Sequence, residues 1–297
     1  MIHIDAPFQT ADYKRLSEID RVPQVIKNWI TQASAHEKVL LDNAIALPEK
    51  YKYIEEKSGF WRSKRLTKWL LGISYNKCWY SEAKFAGDSA ELEHWRPKKA
   101  THDFSKNKIH DGYYWLAFNL TNYRISKGKL NRIKGNFFPL IEEAARAGGS
   151  HVPHIAEKPL FLDPISPSDH QCLSFNDKGE AIFNEGILTP RAEERAITTI
   201  KYFGLNTDSL ITERRLLWST VRQNYANYIN HIKLANDGCP ASQGIADTYA
   251  HEIHYLIHET SAFSSTARAA LKTLREPTAD AFAMSAGKPR PSNEHKG

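Results

Sequence analysis

The sequence predicts an α+β protein in which a small mixed core is embedded in a mainly helical chain. Two observations carry this. Helical periodicity dominates both ends, and the middle breaks into short apolar runs separated by turn residues. At 297 residues and 41% hydrophobic side chains, the chain is long enough for one large domain or two modest ones with a real core. It shows no internal repeat.

Residues 11–70 read as helical. Pro23 suits a first turn, and Val25, Ile26, Trp29 and Ile30 follow it at helical spacing. Trp61, Leu66, Trp69, Leu70 and Ile73 form a second apolar face, interleaved with Arg62, Lys64, Arg65 and Lys68. That helix is amphipathic and basic, and either faces nucleic acid or is an ordinary surface helix.

Cys78-Trp79-Tyr80 and Leu92-Glu93-His94-Trp95 read as two strands around a turn near Gly87-Asp88, with Pro97 ending the second. A polar, Lys-rich loop follows to about Ile109. Tyr113 to Phe118 is a dense apolar run too short to type by periodicity. Leu160 to Pro164 reads as a strand, and Leu173–Asn176 with Ala181–Asn184 as a hairpin across Asp177-Lys178-Gly179-Glu180. From Pro190 the chain is helical: to about Phe203, with Gly204 as the stop signal, then over roughly 207–236, 243–261 and 264–274. The expected organisation is an N-terminal helical segment (1–74), a core with a hairpin extension (75–189), a C-terminal helical region (190–275) and a loose tail (276–297).

Composition excludes several classes. No run approaches the ~18 apolar residues of a membrane span. Met1-Ile2-His3-Ile4-Asp5 lacks a basic region followed by an apolar one, so no secretory signal is read there. Cys78, Cys172 and Cys239 are far apart and odd in number, which argues against a disulfide framework and for a reducing cytoplasmic setting. The Asn119-Leu120-Thr121 sequon would matter only in a secreted chain. Net charge is +6, unevenly spread: residues 61–134 hold 16 Lys/Arg against 6 Asp/Glu, the remainder 24 against 28. A basic segment in a mildly acidic protein is either an electrostatic footprint for a polyanion or a solvated basic face.

The chemically informative text begins at Glu91-Leu92-Glu93-His94-Trp95-Arg96-Pro97-Lys98. On a strand, Glu93 and His94 point to opposite faces, so one can hold a metal while the other handles protons. Asn122 follows 28 residues later, and Asn131-Arg132-Ile133-Lys134 begins nine beyond that. This order resembles the HNH endonuclease signature, whose fold is the ββα-metal finger. The resemblance implies that His94 is the general base and Glu93 a metal ligand. It further implies that Asn122 fixes the loop and orients the histidine, that Asn131 is a second ligand, and that Lys134 faces the phosphate. Glu91 shares a strand face with Glu93, so either can be the metal carboxylate.

Phosphodiester hydrolysis needs an activated water and a neutralised phosphate oxygen. A histidine neutral near pH 7 can take the water's proton. A hard ion held by one carboxylate and one amide oxygen keeps positions open for phosphate and water, which suits Mg²⁺ or Mn²⁺. Arg96, Lys98, Lys127, Lys129 and Arg132 are expected to bind the nucleic-acid backbone collectively. The bland alternatives are a satisfied core histidine at His94, a salt bridge from Glu93 to Arg96 or Lys98, a turn role for Asn122 and a helix-start role for Asn131.

Flanking text narrows the resemblance. The stretches 110–118 and 135–140, the Leu160-Phe161-Leu162-Asp163-Pro164 run with its hairpin, and Arg195 to Arg215 look like the PtuB-type subgroup of HNH nucleases found in Septu-type and retron-associated anti-phage systems. That likeness, over roughly residues 75–215, implies a PtuA-like ATPase partner and a nucleic-acid substrate, with DNA favoured and RNA possible. Many such relatives carry two Cys-x-x-Cys pairs for a structural zinc. Here the positions read Cys78, Ser81, Lys127 and Leu130, so no structural zinc is expected. Packing from Trp79, Trp95, Trp115 and Phe118 is expected to hold the finger instead. The missing thiolates also motivate an alternative: a degenerate module that binds nucleic acid or scaffolds a complex without cutting.

Rival signals are weaker. His251, His254 and His258 sit at i, i+3, i+7, but a zincin needs two histidines four apart around the glutamate. A polar helix face or partner surface is the preferred reading. Ser81-Glu82-Ala83-Lys84 matches Ser-x-x-Lys without any further β-lactamase element. The stripe Leu216, Leu217, Trp218, Val221, Tyr225, Tyr228, Ile229 and Ile232 reads equally as core or as a docking surface for the ATPase.

Overall fold

A computed structural model describes residues 1, 3–8, 22–85, 87, 89–149 and 154–289 of the chain. The fold is α+β, mostly helical with three two-stranded sheets among the described residues.

The N-terminal part contains α1 (Gln24–Leu41), α2 (Leu47–Glu56), α3 (Ser58–Trp61) and α4 (Lys64–Ile73). The expected helix over 11–21 lies outside the described residues. After Pro23, whose ring presets the first turn, α1 buries Ile26, Trp29, Ile30, Ala33 and Leu40. Leu66 and Leu70 anchor α4, and its cations stay outside.

In the middle, β1 (Ala90–His94) pairs antiparallel with β4 (Tyr123–Lys127), placing Glu93 opposite Arg124 and His94 opposite Tyr123. This corrects the expected pairing of β1 with Cys78–Tyr80. That segment is flanked by an isolated bridge, Lys77 to Lys84, and its Trp79 N–H reaches the Ile125 carbonyl at 3.0 Å. The reversal is a tight turn: Glu82 adopts φ +63°, and its N–H returns to the Cys78 carbonyl at 3.0 Å. Chain turned that sharply cannot run on as a strand, whereas the buried Tyr123–Ile125 segment offers β1 an apolar partner. Asp88 of the expected turn lies outside the described residues.

The Lys-rich loop contains a small hairpin, β2 (Thr101–His102) and β3 (Lys108–His110), closed by Asp103, which accepts from the N–H groups of Ser105 and Asn107. The apolar run resolves into single 3-10 turns at Tyr114–Leu116 and Leu120–Asn122. Directly after β4 comes α5 (Gly128–Lys134), ended by Gly135 at φ +53°. Leu160–Pro164 is no strand: an isolated bridge from Pro159 to Leu140 lies just before it, and Asp163 turns its carboxylate to Arg124. The expected hairpin is present as β5 (Leu173–Phe175) and β6 (Ala181–Phe183).

The C-terminal part holds α6 (Ala192–Tyr202), α7 (Asp208–Asn236), α8 (Ala241–Ile257), α9 (Ser264–Lys272) and α10 (Pro277–Met284). The last of these corrects the expected loose tail as far as Met284. Ala279, Phe282 and Ala283 are buried, with the Phe282 ring 5.3 Å from Tyr228 and 5.0 Å from His254. Residues 290–297 lie outside the described residues. In α7, Trp218, Val221 and Tyr225 are buried while Leu216 is 63% exposed, so much of the stripe is core.

Two hydrophobic clusters flank the β1–β4 pair. Trp79, Ala117, Phe118, Leu120, Tyr123 and Ile125 pack with the N-terminal helices. Cys78, Tyr80, Trp95, Tyr113, Trp115 and Phe138 pack with the C-terminal ones. Alternation along the strands sends neighbouring side chains to opposite cores, so packing runs across the expected boundaries at 74/75 and 189/190.

Candidate active site

The same alternation builds the site. Glu91 and Glu93 face α5, and His94 faces the N-terminal helices. The His94 ring lies edge-on to Trp61 (5.3 Å, 90°) and Tyr123 (5.1 Å, 80°). Its Nε2 is 2.9 Å from the Ala117 carbonyl oxygen, which also accepts from the Tyr123 hydroxyl at 2.8 Å. A carbonyl only accepts, so Nε2 carries the proton and Nδ1 keeps its lone pair. Burial, with Lys98 beside it, holds the imidazole well below its ordinary pKa and hence neutral at pH 7.

Asn122 is placed to fix that arrangement. Its Oδ1 accepts from the Arg96 N–H at 2.7 Å, and its Nδ2 donates to the Arg96 and Leu116 carbonyls at 2.9 and 3.3 Å. One buried amide thus ties the chain just after His94 to the turn that presents Ala117.

On the other face, two pairs form successive rungs between β1 and α5. Glu93 is in a buried ion pair with Lys134, whose Nζ also donates to the His94 carbonyl at 3.2 Å. Asn131 donates to Glu91 at 2.9 Å, with Arg132 at 3.6 Å from the same carboxylate. Gly128 admits Glu91, since a Cβ there would lie 2.4 Å from its Oε1. Burial pushes the Glu93 carboxyl up, opposed by Lys134 and Lys98. Burial likewise lowers the Lys98 ammonium, which sits 5.6 Å over the Trp61 ring.

The residues expected to hold a divalent ion divide between these two rungs. The Glu93 carboxylate is taken by Lys134, and Asn131 belongs to Glu91. Among the described residues no three His, Cys, Asp or Glu side chains lie close enough to share an ion. A metal on Glu93 would have to displace Lys134 from a buried carboxylate, whereas Glu91 and Asn131 already lie side by side.

Other expected roles sort differently. The Arg96 guanidinium is committed to Glu157 (2.9 Å) and the His154 carbonyl (3.2 Å), over the rings of Tyr113 and Phe138. It staples the chain after β1 to the 154–157 segment. Lys129 and Arg132 are exposed and line a pocket with Lys127, Thr207 and Ser209. At the former thiolate positions, Leu130 is buried in the core and Ser81 is fully buried. Past the end of α8, His258 bonds Thr260, while His254 packs on Phe282, so the three histidines do not share one helical face.

Sequence reasoning missed Arg124. Its buried guanidinium binds Asp163 with both nitrogens (2.7 and 2.6 Å) and donates to the Thr121 and Tyr123 carbonyls. It also missed Glu157, which accepts from Arg96, Tyr113 and the Ala147 N–H. An arginine between the apolar Tyr123 and Ile125 was the one available signal. Together these pairs tie β4 and the chain after β1 to the 157–163 segment.

No protein-family model matches the sequence. The chain is similar to the Septu protein PtuB of Bacillus mycoides (strain KBAB4), at 34% identity over 149 residues, which is 49% of this chain and 48% of that protein. It therefore spans about half the length of the curated relative it matches, and what it shares with that Septu protein is this half.

Proposed function

We propose that this chain is a nuclease of the HNH type, the cutting subunit of a Septu-like anti-phage system that works beside a PtuA-like ATPase. The observation that carries the chemistry is the His94 hydrogen bond to the Ala117 carbonyl. It leaves Nδ1 of a neutral imidazole as the free proton acceptor, the requirement for a general base at neutral pH. In the reaction, a water gives its proton to Nδ1 as its oxygen bonds to phosphorus. The phosphorus–oxygen ester bond breaks on the far side, and the departing oxygen takes a proton from solvent. Lys98 is the cation that would meet the charge on phosphate; Lys134 and then Arg62 are the next contributors to the field at His94. The defence role rests on the likeness to the Septu protein.

A second reading has its own support. Glu93 is neutralised by Lys134 inside a buried rung, which is also what a non-cutting scaffold would contain. Incubation of the purified chain, alone and with its co-produced ATPase, on plasmid DNA and on RNA separates the two. Mg²⁺, Mn²⁺ and chelator arms belong in the same experiment. Cleavage products in any arm support the nuclease, and intact nucleic acid in every arm supports the scaffold.

A further inference from the structure

The start of α4 carries charges that the helix itself disfavours. Lys64 and Arg65 occupy its first turn, no acidic residue joins them there, and Ser63 makes no side-chain cap bond. A helix N-terminus bears partial positive charge, so these cations are repelled by it. Lys64 and Lys68 are also four residues apart, a like-charge pair on one face. By contrast α6 opens with Glu193 and Glu194, and α7 with Asp208.

Arg62, Lys64, Arg65 and Lys68 are all exposed, and none makes an ion pair with a described residue. The neighbouring acids are already engaged: Glu55 binds Lys99 at 2.8 Å and Glu56 lies 3.9 Å from Lys52. The patch is continuous with the candidate active site. Trp61 touches His94 and underlies Lys98, and Lys64 follows three residues later, at most about 11 Å of extended chain.

We propose that Arg62, Lys64, Arg65 and Lys68 form a landing surface for the phosphodiester backbone of a nucleic-acid strand on its way to His94. The substrate class rests on the nuclease reading; the surface rests on the unpaired charge. A polyanion supplies the counter-charge that the helix lacks, and binding by such a surface releases counterions and so depends steeply on salt.

The test is binding, measured by fluorescence anisotropy of labelled duplex DNA, single-stranded DNA and RNA between about 50 and 300 mM salt. It compares the full chain with a triple variant, Lys64→Glu, Arg65→Glu and Lys68→Ala. Affinity at low salt should fall about tenfold or more, and the log–log salt slope by about 2 to 3. The thermal midpoint should hold or rise, because acids now open the helix. Unchanged affinity and slope for all three probes, or weaker binding only alongside a falling midpoint, overturns the surface. So does loss of ATPase binding with nucleic-acid binding intact, which would assign the patch to a protein partner. If the variant loses binding while the wild type cuts nothing, the surface stands and the nuclease reading fails. If the wild type cuts and the variant binds normally, the reverse holds.

Discussion

Lys134→Met removes the only cation within ion-pair distance of Glu93 among the described residues, and the magnitude follows from burial. Glu93 is 4% exposed and Lys134 0%, so the carboxylate left behind cannot recover its lost partner from water. Breaking a buried pair by deleting one member costs about 3–5 kcal/mol. Unfolding entropy scaled to a chain of 297 residues is about 0.6 kcal/mol/K, giving a drop of about 5–8 °C in the thermal midpoint. The cost should be largest at alkaline pH. Burial already raises the folded-state pKa of Glu93, and without Lys134 it rises further. The penalty of the buried charge is therefore absent below that pKa and grows as pH rises through it. Adding Glu93→Gln removes the stranded charge, and the double variant should return to within about 2 kcal/mol of wild type; the remainder includes the lost bond to the His94 carbonyl. Urea denaturation of the four proteins, followed by tryptophan fluorescence and circular dichroism, yields the coupling energy. A coupling below about 0.5 kcal/mol would refute the buried rung.

Two further outcomes follow from the same geometry. Asn122→Ala removes three hydrogen bonds of a buried side chain and should cost about 2–4 kcal/mol in urea denaturation. It should also lower the cleavage rate more than the affinity for nucleic acid; a stable, fully active variant would contradict its role. His36, stacked on Phe118 and bonded to the Tyr53 hydroxyl, has its pKa lowered by burial first and then by Lys57. Above the unfolded-state value of 6.5 neither state binds the proton, and below it the unfolded chain takes it first, so stability is lost as pH falls. His36→Gln should flatten the fall in urea midpoint below that pH, and an unchanged slope would show that His36 contributes nothing to it.

Much of the fold was legible because local pattern and final packing agree. The C-terminal helices and the β5–β6 hairpin follow from periodicity and from Asp177–Glu180. The partner of β1 was not legible: Cys78–Tyr80 and Tyr123–Ile125 are equally strand-like by composition, and the choice is made by the tight turn at Glu82. α10 was hidden because it is short, and its helix depends on burying Phe282 against α7 and α8. At the site, the places of His94 and Asn122 follow from their order along the chain. Those of Glu93 and Asn131 do not, because which carboxylate meets Lys134 and which meets Asn131 is set by the register of α5 over β1. The pairing of Arg96 was not legible, because an exposed phosphate binder and a guanidinium stapled to Glu157 look alike until Glu157, 61 residues away, is seen folded against it.

The most direct test of the central claim is the initial rate of nucleic-acid cleavage by His94→Ala against wild type, with binding to an uncut probe measured in parallel. Loss of a general base should slow cleavage about 10²–10⁴-fold while affinity stays within about twofold, since His94 is buried and contributes no charge to binding. Cleavage by His94→Ala at the wild-type rate would contradict the assignment of His94 as the base.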